Sequence, residues 1–252
     1  MAQAWELTPA ERAYVDRQQG TICTGCGASL RSAALAQGIL DAVGAVGPLV
    51  RFVATPMARR LRLLELNEAG SLNPLLRRLP GHRFGGFPEV DMQAMPYADA
   101  SFDLVVHSDT LEHVPDPARA LTECRRVLRP GGALCFTVPT IVGRMSRGRA
   151  GLPPSFHGFP TDEGEDLKVH TEFGADMWTW VLRAGFAAVT VTPLEYPAAL
   201  AITGWTGTPA PLLRREAADA ARAALDLVEA HAPRPVGRAL RRGATALRGL
   251  LR

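Results

Sequence analysis

The stretch from Ser101 to Pro139, SFDLVVHSDTLEHVPDPARALTECRRVLRPGGALCFTVP, constrains the fold more than any other part of the chain. It begins and ends with an apolar, strand-like run, and a helical pattern closed by Pro-Gly-Gly separates the two runs. Further helix and strand patterns alternate on both sides of it. Alternation of this kind predicts an α/β fold with a doubly wound sheet of parallel strands.

The flanking elements follow from local signals. Thr8 followed by Pro9 and Glu11 predicts the start of a first helix, and Gly20 its end. SLRSAALAQGILDAVG predicts a second helix, and RLRLLEL, residues 60–66, predicts a buried strand. Asn73 and Pro74 predict the cap and the first position of another helix. EFGADMWTWVLRAGF and AAVTVTPLEYP complete the pattern with a helix and a strand.

Composition excludes several classes of protein. The 252 residues are 47% hydrophobic and 21% charged, with a net charge of +3, as in a soluble globular enzyme. No apolar run reaches the roughly 18 residues that a membrane span needs, and the first residues lack the order of a signal peptide. We therefore expect a cytoplasmic protein. The arginines are spread along the chain without interleaved aromatics, so no nucleic-acid partner is expected.

The polar segment HSDTLEHV lies at the carboxyl end of the strand FDLVVHS, with which it shares His107 and Ser108. In open α/β sheets, ligands bind outside the carboxyl ends of the strands, where the strand order reverses. This segment is therefore expected at a ligand site. Asp91 follows another strand-like region, and its carboxylate can accept a hydrogen bond from an exocyclic amino group such as that of adenine. A simple turn cap is the alternative role for Asp91.

Three motifs occur in order: DMQAMPYADASFD, LEHVPD and RVLRPGG. Together they resemble the class I S-adenosylmethionine-dependent methyltransferases, most closely between Glu89 and Pro139. The resemblance implies a Rossmann-like sheet, S-adenosylmethionine as cofactor, and methyl transfer to an oxygen or nitrogen of a small molecule, with secondary metabolism as one setting. The alternative is a non-catalytic binding or regulatory protein on the same scaffold.

The resemblance also implies the cofactor-binding residues. The glycine-rich loop of the family is replaced here by ELNEAGS, in which Asn67 and Ala69 stand where glycines are usual and Gly70 is one place off. Asn tolerates left-handed backbone, so the turn stays plausible. No acidic residue is obvious for the ribose, and Glu89 is only a weak candidate. The predicted cofactor-binding residues are Glu65, Asn67, Ala69, Gly70, Asp91, Met92, His107 and Ser108.

Candidate catalytic residues come from two segments. His107 and Asp109 lie at the end of the strand, where their groups can face the transferring methyl. His157 and His170 lie in a Pro-, Gly- and His-containing insertion over about 143–172, which is typical of a substrate lid. A neutral imidazole suits deprotonation of a hydroxyl or ammonium group. Glu112 and His113 are expected to brace the loop.

The termini are predicted to be helical additions to a central domain. Residues 1–47 form a leader with the turn CTGCG, 48–200 the cofactor-binding domain, and 201–252 a C-terminal extension. The leader resembles a Cys-rich segment of some bacterial methyltransferases and is expected to cover the active site. One Cys-x-x-Cys pair supplies only half of a zinc site, so no metal is expected. The C-terminal helix is expected to pack on the domain or on a second copy, which leaves a homodimer open, in preference to a membrane surface.

Overall fold

The computed structural model describes residues 5–20, 22–156 and 165–213. Six α-helices and nine strands are present in this part of the chain. The helices are α1 (Pro9–Gly20), α2 (Leu30–Val43), α3 (Leu49–Phe52), α4 (Asn73–Leu76), α5 (Pro117–Val127) and α6 (Met177–Arg183). The strands are β1 (Leu63–Leu66), β2 (His82–Gly85), β3 (Phe102–Ser108), β4 (Leu128–Thr137), β5 (Thr140–Ile141), β6 (Arg147–Gly148), β7 (Thr171–Gly174), β8 (Ala188–Leu194) and β9 (Ala199–Trp205).

Six of these strands form the main sheet, in the order β2-β1-β3-β4-β9-β8. The first four strands in this order run parallel, as predicted. The chain passes from β1 outward to β2 and then returns to β3 on the other side of β1. The strand order therefore reverses between β1 and β3, which is where such sheets bind their ligands.

Helices cover both faces of the sheet, which confirms the doubly wound prediction. On one face, side chains from α2, α3 and α4 pack on Leu63, Leu104 and Ala133. On the other, side chains from α5 and α6 pack on Leu64 and Val105. The central strands alternate between these two cores, so β3 is buried along its entire length.

The other end of the sheet differs from the prediction. Strand β9 pairs antiparallel with both β4 and β8, so the sheet is mixed. Only residues 195–198 connect β8 to β9, and so short a connection can join only antiparallel neighbours. Residues 201–205, predicted to begin a helical extension, lie in β9 inside the sheet. The predicted C-terminal helices at 214–252 lie outside the described residues.

The leader helices form as predicted. Thr8 N donates to Glu11 Oε2 at 2.8 Å, and Glu11 N donates to Thr8 Oγ1 at 3.2 Å, which is the predicted capping box. Helix α2 begins after Ser29, whose hydroxyl accepts from Ser32 N, and ends at the left-handed Gly44. Helix α1 is held to the rest of the molecule by Arg144, which donates to both carboxylate oxygens of Glu11 at 2.8 and 2.7 Å.

Two local predictions need correction. Strand β1 begins at Leu63 rather than at residue 60, because residues 58–60 form a 3₁₀ turn. Asn73 does not cap α4 but lies within it, and Leu72 occupies the cap position without a side-chain hydrogen bond. The Asn73 amide instead donates to both carboxylate oxygens of Glu65 at 3.1 Å. A buried carboxylate nearby therefore attracts the side chain away from the local cap.

The predicted lid is described only in part. A second sheet in the order β5-β7-β6 includes residues from this region. Phe156 and Lys168 pair on either side of the part that is not described, and Val169 N donates to Ser155 O at 2.8 Å. His157 lies outside the described residues.

Candidate functional site

A cavity of about 650 Å³ lies at the carboxyl ends of β1, β2 and β3, at the point where the strand order reverses. A volume of this size suits a small-molecule ligand or cofactor. Its walls combine apolar side chains with carboxylates, hydroxyls and imidazoles. The lining residues are Leu66, Asn67, Glu68, Gly85, Phe87, Val90, Asp91, Met92, Gln93, Ser108, Asp109, Thr110, His113, Val114, Pro115, Asp166, Leu167 and His170.

The loop after β1 is organised around Glu65, which is completely buried. Its carboxylate accepts from Ala69 N at 2.8 Å and from the Asn73 amide, and it lies 2.6 Å from His82 Nε2. Asn67 adopts a left-handed φ of 53°, as its residue type allows. Asn67 lines the cavity, but Glu65, Ala69 and Gly70 do not. Glu65 holds the loop from beneath, because its oxygens are occupied by groups of the protein. The predicted cofactor contacts of Ala69 and Gly70 stay predictions.

Asp91 and Met92 lie on the opposite wall of the cavity, after β2. Asp91 Oδ1 accepts from Gln93 N at 2.8 Å, which is the local turn that was the alternative role for this residue. Asp91 Oδ2 is in contact only with the Gln93 side-chain amide, at 3.4 Å, among the described hydrogen bonds. One carboxylate oxygen thus fixes the turn, and the other remains suited to a ligand donor. Glu89, the weak candidate, is exposed and outside the lining.

His107 lies in the core and not at the cavity, which corrects both of its predicted roles. Its side chain is fully buried and stacks on Phe136, with ring centroids 4.7 Å apart. In a strand, neighbouring side chains point to opposite faces, and His107 points into the core formed with α5 and α6. Neither ring nitrogen has a hydrogen-bond partner among the described residues. Burial lowers the pKa of His107 to about 3, and the charge of Glu112 opposes that shift.

The next two residues do reach the cavity. Ser108 shares a hydrogen bond of 2.9 Å with the Thr137 hydroxyl. Asp109 adopts a left-handed φ of 45°, and its backbone N donates to Thr137 O at 2.9 Å. Its carboxylate forms an ion pair with Arg31 from α2. Burial raises the pKa of Asp109 to about 8, and the Arg31 guanidinium opposes this rise.

The LEHV segment braces the site as predicted for Glu112, whose carbonyl accepts from His170 N at 2.7 Å. His113 has a second role that the sequence reasoning missed, because its ring lines the cavity. Its Nδ1 lies 3.2 Å from Lys168 O, so it also connects this segment to the insertion. His170 also lines the cavity, and its catalytic role stays a prediction.

The structure thus brings together Asn67, Asp91, Met92, Ser108, Asp109 and His170 of the predicted residues. It adds His113 and Glu68 to the cavity lining. Arg31, which forms an ion pair with Asp109, is a further addition, and its distance along the chain from Asp109 gave no sequence signal for their contact.

The Cys-x-x-Cys pair forms the predicted turn, with Gly27 N donating to Cys23 O at 2.8 Å. Cys23 and Cys26 are exposed free thiols. Hydrogen bonds from the backbone of Gly25 and Cys26 lower the pKa of Cys23. Among the residues that the structure describes, no group of three or more His, Cys, Asp or Glu side chains is placed so that it could hold a metal ion.

None of the described helices combines the length and apolar character needed to cross a bilayer.

Comparison with known proteins finds similarity to methyltransferases. Residues 74–136 match the family described as "Methyltransferase domain". This segment of the chain is therefore similar to methyltransferases. The matched region runs from α4 into β4 and includes Asp91 and the LEHV segment, but not the leader that carries Arg31.

Individual relatives match only part of this chain. The ubiquinone biosynthesis O-methyltransferase of Dinoroseobacter shibae is 33% identical over 52% of this chain and 53% of its own. A Mycolicibacterium smegmatis protein named "Probable S-adenosylmethionine-dependent methyltransferase" is 35% identical over 33% of this chain and 31% of its own. The chain thus spans about half the length or less of these curated relatives. A Mesorhizobium loti methyltransferase structure is 18% identical, covers 62% of this chain and 95% of its own, and has a TM-score of 0.35.

Proposed function

We propose that this protein transfers the methyl group of S-adenosylmethionine to an oxygen or nitrogen atom of a small molecule. The observation that carries the proposal is the cavity of about 650 Å³ at the reversal of strand order, lined by Asp91, Met92 and Asp109. A doubly wound sheet uses this position for its ligand. The methyltransferase domain that residues 74–136 resemble, and the name of the Mycolicibacterium smegmatis relative, support S-adenosylmethionine as the cofactor.

The residues present fit such a cofactor. Asp91 offers a carboxylate acceptor for the amino group of an adenine, beside the apolar side chains of Met92, Val90 and Phe87. Glu68 lines the same cavity with a carboxylate suited to hydroxyl groups such as those of a ribose. When bound, S-adenosylmethionine supplies a methyl group activated by its positive sulfur. The protein's part is to align the reactants, exclude water and accept a proton where the acceptor loses one.

Gly85 shows how closely this wall of the cavity is packed. A Cβ atom at Gly85 would lie 3.0 Å from the Tyr97 hydroxyl oxygen and 3.1 Å from Val90 Cγ2. A side chain at Gly85 would therefore require Tyr97 or Val90 to shift by a few tenths of an ångström. Val90 and the following Asp91 line the cavity beside Gly85.

His170 is the best candidate for a base among the predicted residues. It lines the cavity, and its backbone is fixed on both sides, since His170 N donates to Glu112 O and His170 O accepts from Arg149 N at 2.9 Å. Asp109 also faces the cavity, where it lies beside Arg31. Burial raises its pKa to about 8, so its carboxyl group can also exchange a proton near neutral pH, which makes Asp109 the second candidate for the base.

The alternative is a protein that binds the cofactor, or a related nucleoside, without turnover. The unusual loop after β1 motivated it. The observed loop weakens that motive, because Asn67 takes a left-handed backbone and the bonds from Glu65 to Ala69 and Asn73 hold the turn without the usual glycines. An assay for methyl transfer is what separates this alternative from the enzyme.

Calorimetric titration with S-adenosylmethionine and S-adenosylhomocysteine tests the cofactor. Binding of both is expected, and absence of binding at millimolar concentration would overturn the proposal. A panel of phenols, carboxylic acids and amines, incubated with cofactor labelled in the methyl group, then separates the two functions. Transfer of label to a member of the panel supports the enzyme, whereas binding with no transfer to any compound favours the non-catalytic alternative.

A further inference from the structure

We propose that Cys23 and Cys26 form a thiol–disulfide exchange site, which reacts with a low-molecular-weight disulfide and closes into a Cys23–Cys26 bond. Both thiols are exposed, whereas Cys124 and Cys135 are buried in the core. Neither Cys23 nor Cys26 lines the cavity at the strand ends. The inference therefore goes beyond the proposed function and gives the leader a chemistry of its own.

The turn that carries the two thiols has a fixed backbone. Cys23 N donates to Ala28 O at 2.8 Å, and Gly27 N donates to Cys23 O at 2.8 Å. Gly27 adopts a left-handed φ of 72°, which a glycine reaches without steric cost. At the base of the turn, Ile22 and Ser29 pair as an antiparallel bridge. These contacts close the turn, so the two thiols that it carries stay near each other.

The two side chains already interact. The backbone N–H groups of Gly25 and Cys26 donate hydrogen bonds to the Cys23 sulfur, and the Cys26 thiol donates to it as well. These bonds, that of Gly25 first, lower the pKa of Cys23. A thiolate held in this way is the form that attacks a disulfide. Cys23 is therefore the attacking sulfur, and Cys26, which touches it, is the thiol that completes the exchange.

A small reagent has access to the Cys23 sulfur. Residues 22–27 are all exposed. A Cβ at Gly25 would lie 3.8 Å from Cys23 Sγ, in van der Waals contact, so the glycine leaves that side of the sulfur uncovered. The rate of thiol–disulfide exchange depends on access to the attacking sulfur as well as on its thiolate fraction. The turn provides both.

The exchange takes place in two steps. The Cys23 thiolate attacks one sulfur of a disulfide R–S–S–R, so that a mixed disulfide forms and one R–S⁻ leaves and takes up the proton that Cys23 lost. Cys26 then loses its proton and attacks the Cys23 sulfur, and the second R–S⁻ leaves and takes up that proton. The protein dithiol is oxidised by two electrons, and the small disulfide is reduced to two thiols.

Metal binding is the competing use of such a pair. A structural zinc site takes four ligands, of which this turn supplies two. Within the described part of the chain, no group of three or more His, Cys, Asp or Glu side chains is placed to hold a metal ion. The contacts of Cys23 and Cys26 with each other thus favour the chemistry of the two thiols themselves.

The experiment treats the reduced full-length protein with oxidised glutathione and follows the intact mass. The wild type is expected to release two glutathione molecules per chain and to lose two hydrogen atoms, with no lasting adduct. Cys26→Ser should stop at the mixed disulfide on Cys23, because the second thiol is missing. Cys23→Ser should form its adduct at least about threefold more slowly than Cys26→Ser, because it lacks the sulfur that the N–H groups of the turn stabilise as a thiolate.

The matched control combines Cys23→Ser with Cys26→Ser and keeps the buried Cys124 and Cys135. In its native state it should release no glutathione. A wild type that retains the mixed disulfide, or single variants that react at equal rates, would show that the two thiols act independently and that the inference is wrong. A wild type that reacts only after a chelator has removed a metal would overturn it too. Should a variant not fold, peptide mapping of the oxidised wild type decides whether the bond joins Cys23 to Cys26.

Discussion

His82 Nε2 lies 2.6 Å from Glu65 Oε2, and this contact joins two neighbouring strands beneath the cavity. Glu65 is completely buried, and the His82 side chain is nearly so. The same carboxylate accepts hydrogen bonds from Ala69 N and from the Asn73 amide. One buried acidic group therefore fixes the end of β1, the following loop, the start of α4 and β2.

Glu65→Ala is expected to lower the free energy of unfolding by about 3 kcal/mol, because it leaves several buried donors without a partner. Urea unfolding monitored by circular dichroism measures the change. Glu68→Ala is the matched control, since Glu68 lies in the same loop but is exposed, and it should cost no more than about 0.5 kcal/mol. Equal destabilisation by the two substitutions would contradict the role assigned to Glu65.

Asp91→Ala is expected to weaken S-adenosylmethionine by about 1–3 kcal/mol, because the ligand's amino group loses its acceptor. Calorimetric titration gives the affinity, and a melting curve checks that loss of the Gln93 turn has not unfolded the loop. Glu89→Ala, two residues earlier and outside the cavity lining, should bind as the wild type does. Unchanged affinity in folded Asp91→Ala would reject the adenine assignment.

His107 is expected to make stability depend on pH. Its pKa is about 3 in the folded protein against an ordinary value of 6.5, so the unfolded chain takes up the proton first as the pH falls. The contribution of His107 is therefore complete above pH 6.5 and is lost progressively below it, by at most about 1.4 kcal/mol per pH unit. His107→Phe keeps the stack on Phe136 and removes the titration. Its unfolding free energy should fall less steeply than that of the wild type between pH 6 and pH 4, whereas parallel slopes would show that His107 is protonated in the folded state.

The four cysteines are expected to react in two classes. Cys23 and Cys26 are exposed, whereas Cys124 and Cys135 are buried. Burial raises the pKa of Cys135 to about 12 and raises the pKa of Cys124 as well. Iodoacetamide should therefore alkylate the first pair in the native protein and the second only after unfolding, as mass spectrometry of peptides can show. Native alkylation of Cys124 would contradict its placement in the core.

The Cys-x-x-Cys turn that carries Cys23 and Cys26 is expected to hold less than one zinc ion per chain, because two thiolates supply only half of the usual ligand set. Cys23→Ser combined with Cys26→Ser should leave the melting temperature largely unchanged. One tightly bound zinc per chain by elemental analysis would overturn this expectation.

The sequence by itself determined the elements whose signals are local. Thr8 and Glu11 form the predicted capping box, and the strand read as FDLVVHS is β3 to the residue. Neighbouring residues supply both signals, so no distant contact was needed to interpret them. The parallel direction of the first four strands was predicted as well, because helix and strand patterns alternate along the chain.

Tertiary structure decided what depends on residues far apart in the chain. Strand β9 is buried on both faces, and a short apolar run of that kind has the same pattern in a buried helix as in a strand. His107 stacks on Phe136 of the neighbouring strand β4, and this contact, which only the folded sheet brings about, places its side chain in the core. The contact of Arg31 with Asp109 exists only because α2 packs on the sheet that ends at Asp109. Local propensity carries no record of such packing, because its energy comes from groups that meet only in the folded molecule.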